Sequence, residues 1–379
     1  MGDPPTVGLA LIARDEARTL PRLLASCDGA FDEVVLVDTG STDATVACFE
    51  AWARTQARTR GRVEHFAWID DFAAARNAAQ GTLGTDWVAW ADCDDEIVGA
   101  GELRGLAAAA PDDVAAYSLA YDYDGSGSHT LWRERLVRAG HGRWAGRIHE
   151  VQDVQGTIAP IERDRIRWRH HGDSGSDEHL GGTPRAERDL RILRAEVRED
   201  PYDRRAAFYL AQTLADLGRG EAAIAAYDRR IELGGWEEEV FYSRFRAGVL
   251  RADGGDWPGG LAALIDAWES RPARLEPVHE IVWRLRVRNQ HRTALAFLAP
   301  VLDAAAPDDQ LFVHAWVYDW GLRFEHTIVG YWAGDVEGAL ESCDLLLRRD
   351  DLPEEHRLHV AANRAFCVER LERERAAAR

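Results

Sequence analysis

The chain has 379 residues, enough to bury more than one core, and carries a formal charge of −19, which argues against general binding to nucleic acid or to an anionic membrane. All 46 basic residues are arginine, so a Walker A lysine, a Schiff-base lysine and a lysine general base are excluded together. Cys27, Cys48, Cys93, Cys343 and Cys367 are odd in number and form no CxxC pair, so neither a zinc knuckle nor a disulfide framework is expected.

The N-terminal apolar run VGLALIA (7–13) has no basic flank before it and is broken by Arg14 and Asp15; no other segment approaches 18 uninterrupted apolar residues. The sequence therefore predicts a cytoplasmic protein without membrane insertion. That run reads as a buried strand followed by a helix over ARTLPRLLASC. A second strand, EVVLVD (33–38), precedes the helix TDATVACFEAWARTQ; RVEHFAW (62–68) is a third strand, and Asp70 or Asp71 caps the helix FAAARNAAQ. DWVAWAD (86–92) is a further strand ending at acids. Strands alternating with helices predict an α/β fold with a mostly parallel sheet, whose ligands sit at the carboxyl ends of the strands. DTGSTD (38–43) and DCDDE (92–96) follow two such ends and should share one edge.

From about 113 to 171 shorter strands with antiparallel pairing are expected, and HGDSGSDEHLGGTP (171–184) reads as a linker. Beyond it the pattern is helical. Ala207, Leu210, Ala211, Leu214 and Leu217 form one stripe; Ile224, Tyr227 and Ile231 form the next; Leu261, Leu264, Ile265 and Trp268, then Leu340, Cys343 and Leu347, repeat the spacing. The segment AAFYLAQTLADLGRGEAAIAAYDRRIEL resembles one tetratricopeptide unit, and YWAGDVEGALESCDLLL (331–347) resembles part of another, with an ordinary helical bundle as the alternative. The expected domains are 1–178, α/β, and 185–379, an all-α helical-hairpin repeat domain.

The chemistry concentrates in WADCDDE (90–96). Four acids in five positions repel one another and call for an opposite charge. In an extended segment Asp92 and Asp94 point to the same side, as carboxylate ligands of Mg2+ or Mn2+ would. ALIARDEARTLPRLL (10–24), VDTGSTD (37–43), WIDDFAAARN (68–77) and WADCDDE follow one another in the order and approximate spacing of family 2 glycosyltransferases. With its helical half, the chain resembles the bacterial subgroup that has a C-terminal tetratricopeptide-like region and includes peptide S-glycosyltransferases. The resemblance implies a GT-A nucleotide-binding sandwich.

It also implies roles. Asp38 would meet the base or ribose of a nucleotide sugar, a UDP-sugar being favoured. Asp43 would contact the nucleotide or cap the following helix. Arg76 would reach the diphosphate, with Asn77 orienting it and Arg14 nearby. Asp94 would be the first metal ligand, Asp92 a metal or ribose contact, and His171 the last metal ligand, with His170 as its alternative. In RWAGRIHEVQ (143–152), Glu150 is the candidate base for inverting transfer and His149 the second choice. Trp144 would be a sugar platform or a core residue. The helical half would hold an acceptor, a peptide or protein, or form a homodimer interface. Asp15 stands where the family usually has asparagine, and Cys93 where it has alanine. A helical-repeat scaffold with a vestigial nucleotide domain is the competing reading.

Overall fold

Apolar runs too short for helices become the centre of a nine-stranded sheet in the computed structural model, which describes residues 4–123, 130–174 and 185–378. The chain divides into two units, Met1–Asp200 and Pro201–Arg379. In the first, β1 (Val7–Ala13), α1 (Leu20–Ser26), β2 (Glu33–Asp38), α2 (Thr45–Thr55), β3 (Arg60–His65), α3 (Phe72–Thr82) and β4 (Trp87–Ala91) alternate. Next come β5 (Asp95–Val98), α4 (Leu103–Ala108), β6 (Val114–Asp122), β7 (Thr130–Arg138), β8 (Gly142–Ala145), β9 (Val151–Val154), β10 (Thr157–Pro160), β11 (Arg167–His170) and α5 (Arg185–Glu199).

The strand order is β3-β2-β1-β4-β7-β6-β11-β5, with β10 also on β6. The first four strands are mutually parallel, so their carboxyl ends share one edge, as the alternation predicts. β7 runs antiparallel to both neighbours, and β8 pairs antiparallel with β9. The expected antiparallel pairing over 113–171 is only partly met, because β10 and β11 both lie parallel to β6. β2 is buried at every position, matching its unbroken apolar run. The core on one face of the sheet gathers Leu9, Leu11, Leu23, Phe31, Leu36, Trp87, Leu119 and Trp168.

Helix α5 falls in the first unit, Met1–Asp200, whereas the expected domains place residues from 185 onward in the second. It belongs to the first unit because its charged face is answered there: the Arg147 backbone N–H donates to Glu196 Oε1 at 2.7 Å, Arg147 Nη2 to Glu199 Oε2 at 2.5 Å, and Arg191 pairs with Asp70. From residue 175 the expected linker lies outside the described residues.

The second unit contains α6 (Arg204–Asp216), α7 (Gly220–Leu233), α8 (Glu237–Asp253), α9 (Trp257–Ser270), α10 (Glu276–Val287), α11 (His291–Leu298), a π-helical turn Val317–Gly321, α12 (Leu322–Ala333), α13 (Val336–Leu347) and α14 (Glu354–Ala377). Four helix pairs close with one and the same turn. Gly218, Gly255, Asn289 and Gly334 take left-handed backbone angles. The next residue's N–H reaches back five positions each time: Arg219 to Leu214, Asp256 to Arg251 and Gln290 to Leu285 at 2.9 Å, and Asp335 to Gly330 at 2.8 Å. These are Schellman closures, and Asp256 and Asp335 then cap the following helices through Gly259 N–H and Gly338 N–H. Repetition of one turn makes this a hairpin array rather than an irregular bundle. Among the described residues no helix is long and apolar enough to cross a membrane.

His326 is buried at one of these turns, its Nδ1 2.8 Å from Ser342 Oγ and its Nε2 3.1 Å from Asp335 Oδ2. Burial pushes its imidazole below the ordinary value of 6.5, with Asp335 opposing. A group depressed on folding contributes stability that is complete above its unfolded pKa and is lost as pH falls toward the folded one. Urea unfolding of the helical unit should therefore weaken below about pH 6.5, and His326→Gln should flatten that slope. An unchanged slope would remove His326 as its source.

Candidate active site

The carboxyl ends of β1 and β4 open onto a cleft of about 480 Å³. Its frame is a loop clasp. Asp15, held at a left-handed φ of 56°, is buried, and its Oδ1 accepts from Thr42 N–H at 2.6 Å and Asp43 N–H at 3.2 Å. Asp43 in turn accepts from Ala17 N–H and from Thr45 N–H, so it fixes the start of α2 and the β1–α1 loop. Asp38 accepts from Gly40 N–H at 3.3 Å and Ser41 N–H at 3.0 Å, and His65 lies 3.4 Å away. Neither Asp38 nor Asp43 lines the cleft; Thr39 and Arg14 do. Asp15 spends its charge on backbone donors, not on the space where a nucleotide would lie.

Arg76 is the hub of the cleft wall. Asp71 caps α3 through Ala74 N–H, which carries Arg76 inward one turn later. Its guanidinium lies against both Trp90 and Trp144, 4.8 and 4.9 Å from their centroids, while the two rings meet edge to face at 4.7 Å. Nη2 donates to Asp92 Oδ1 at 2.6 Å and Nε to Glu150 Oε1 at 2.5 Å. Burial would raise the Asp92 carboxyl, but the charges of Arg76 and Arg135 outweigh it and hold it low. Asn77 exchanges two hydrogen bonds of 2.9 Å with the Trp144 backbone, so it pins β8 rather than Arg76. Trp144 is buried yet faces the cleft beside Arg76. His149 and Glu150 both line it, His149 at a φ of 51°.

The acids separate into distinct roles. Asp95, absent as a ligand from the sequence reading, opens β5 opposite His170 of β11. Its Oδ1 lies 3.1 Å from His170 Nδ1, which is also 3.6 Å from Asp94 Oδ1. Among the described residues, Asp94, Asp95 and His170 form the group of potential metal ligands, one atom from each lying within 4.8 Å of the others. Asp92 is taken by Arg76 and stands outside this group. His171 follows His170 and turns to the other side, its Nε2 3.2 Å from Glu96 Oε2. Burial pushes the Asp94 carboxyl up to about 7, with Asp92 and Asp95 adding to the rise and His170 opposing it. Two carboxylates and an imidazole are a donor set that fits Mg2+ or Mn2+, and a cation there would relieve the crowding of negative charge.

Residues 9–168 match the model of "Glycosyl transferase family 2". That stretch holds β1 to β10 and most of the residues lining the cleft. A TPR repeat-containing protein of Synechococcus elongatus is 29% identical over 73% of this chain and 67% of its own length. The SPbeta prophage-derived glycosyltransferase SunS of Bacillus subtilis is 22% identical over 59% of this chain and 52% of its own. The chain thus spans about two thirds and about half of these relatives. Among solved structures, S. aureus TarS 1-349 aligns over 70% of this chain and 92% of its own, with 15% identity and a TM-score of 0.39.

Two arginines of the first unit carry no mark of a site residue in the sequence. Arg135, 1% exposed, lies under Trp90 and Tyr121 at 3.6 and 4.4 Å, with Nη1 3.5 Å from Asp95 Oδ2. Arg22 donates to the Asp94 carbonyl at 3.1 Å and pairs with Asp173 at 2.6 Å, tying α1 to the acid loop and to the segment after β11. The only available signal for Arg135 was its phase in TLWRERLVR, where alternation sets it with the buried Val137.

Proposed function

We propose that this protein transfers a sugar, with inversion, from a nucleoside-diphosphate donor, a UDP-sugar in the first instance, to an acceptor on a peptide or protein. The observation that carries the reading is one cleft lined by Asp94 and His170, with Asp95 buried directly behind them, beside an arginine clamped between two carboxylates. The family 2 match over residues 9–168, which takes in Arg76, Asp94, Asp95 and Glu150, and the glycosyltransferase SunS among the relatives support it.

Asp94, Asp95 and His170 would hold Mg2+ or Mn2+, which supplies charge neutralisation for the departing diphosphate. Arg14 lines the cleft without an ion-pair partner among the described residues, so its guanidinium is available to phosphate oxygens. Glu150 takes the acceptor proton through Oε2, the oxygen Arg76 leaves unused, with His149 next to it as the second candidate. Arg76 sets the position of that carboxylate relative to Asp92. The ring wall of Trp90 and Trp144 keeps water from the reacting atoms. The helical-hairpin unit presents the acceptor.

The test is calorimetry with UDP and GDP, with and without Mn2+, on the native chain and on Asp94→Ala. Metal-dependent binding of UDP, weakened at least about tenfold by the substitution, is the expected result. Absence of nucleotide binding under every condition would shift the reading to a helical scaffold with a vestigial front domain.

A further inference from the structure

We propose that the helical unit carries a carbohydrate-binding site of its own, in which a neutral saccharide ring stacks on Trp316. The site is a pocket of about 440 Å³ between α10, the π-helical turn, α12 and the start of α14. The inference rests on this pocket alone and holds whether or not the first unit transfers sugars.

The aromatic wall comes first. Trp316, Trp320 and Phe324 are spaced by four along one continuous helical segment, so they share a face, and Trp283 of α10 joins them. Trp316 and Trp320 lie 5.1 Å apart. Trp316 and Trp283 are 39% and 37% exposed, unusual for rings that could be buried in a neighbouring core. The backbone is shaped for this. A π-helical turn is a rare element associated with functional sites, and Gly321 ends it. A Cβ at Gly321 would stand 2.8 Å from Cζ3 of Trp316, so the glycine is what lets that ring lie against the turn.

The polar part decides the guest. Arg286 donates through Nε and Nη2 to Glu325 at 2.6 and 3.2 Å, a closed pair with no net charge. Burial, aided by the Arg286 and His314 charges, pushes His279 down to about 4, so it is neutral at pH 7. A neutral imidazole offers one donor and one acceptor, and the His279 ring nitrogens have no hydrogen bond among the described residues. His356, with Nδ1 buried 3.6 Å from Glu355 Oε1 and without a hydrogen bond, closes the far side of the pocket. A cation is disfavoured by Arg286 and an anion by Glu325. A proline-rich strand brings carbonyl acceptors only and leaves the imidazole acceptors unanswered. Hydroxyl groups both donate and accept, and the C–H face of a sugar ring suits exposed indoles.

Saturation-transfer NMR on the full chain tests this without any nucleotide, using methyl N-acetyl-β-glucosaminide, methyl α-glucoside and cellobiose as probes. At least one should receive saturation at its ring C–H protons, with affinity about tenfold weaker in Trp316→Ala and in Trp283→Ala, while both variants keep the native circular dichroism and thermal midpoint. Two variants are used so that misfolding of one leaves the other decisive. No transfer to any probe up to about 10 mM overturns the site, as does transfer that survives both substitutions unchanged. Binding of a proline decamer that depends on Trp316, with no sugar binding, overturns it in favour of a peptide.

Discussion

Arg76→Leu is expected to destabilise the N-terminal unit by about 3–5 kcal/mol and to lower sugar transfer at least about a hundredfold. Leucine leaves Asp92 and Glu150 facing one another with no cation between them, and it removes the charge that lies against Trp90 and Trp144. Breaking a buried pair on one side is the costly case, because the surviving carboxylates stay in a poorly solvated wall. Arg76→Lys keeps the charge but not the two separately aimed donors, so it should recover part of the stability and little of the activity. Combining Arg76→Leu with Asp92→Asn and Glu150→Gln should restore stability without restoring transfer, since the carboxylates themselves are then gone. Urea unfolding followed by tryptophan fluorescence reads the first quantity, and donor turnover reads the second. A single mutant as stable as the parent would show that the two acids do not depend on Arg76.

How much of this was legible follows from which forces leave a mark on short stretches of sequence. The strands β1, β2 and β4 stand where their apolar runs predict, because burial on both faces demands such runs. Asp71 capping α3 was equally readable, being a local hydrogen bond. The hairpin array was partly written in Gly-Asp pairs at 255–256 and 334–335, while Asn289-Gln290 makes the same turn without that signature. What the sequence hid is register. Whether His170 or His171 meets Asp95 depends on one residue of offset between β11 and β5, strands some 70 residues apart in the chain. The partnership of Arg76 with both Asp92 and Glu150 was hidden for the same reason: each residue was singled out, but their mutual neutralisation is a property of three elements meeting. The partners of helix α5, Asp70 and Arg147, lie far upstream, so no short stretch of sequence shows its tie to the first unit.

Arg135→Met should separate the floor of the cleft from its chemistry. The side chain sits beneath Trp90, Tyr121 and Trp168, donates through Nη1 to the Trp90 carbonyl at 3.4 Å, and leaves Nε without a hydrogen bond. Methionine nearly fills the same slot, so packing is largely kept and the change is one of charge. Asp95 is 0% exposed and, among the described residues, would then retain His170 and the Asp92 N–H as side-chain partners. Stability is expected to fall by about 3–5 kcal/mol, the cost of a carboxylate buried beside one cation fewer. Arg135→Met with Asp95→Asn should recover a large part of that loss, giving a coupling of about 1–3 kcal/mol in a double-mutant cycle, as residues in direct contact do. Strictly additive losses would mean that Arg135 acts on the rings above it and not on Asp95. With coupling, the buried guanidinium is what allows Asp94, Asp95 and Asp92 to stand within one short loop before any ligand arrives, the reason so many acids can follow an apolar strand in this sequence.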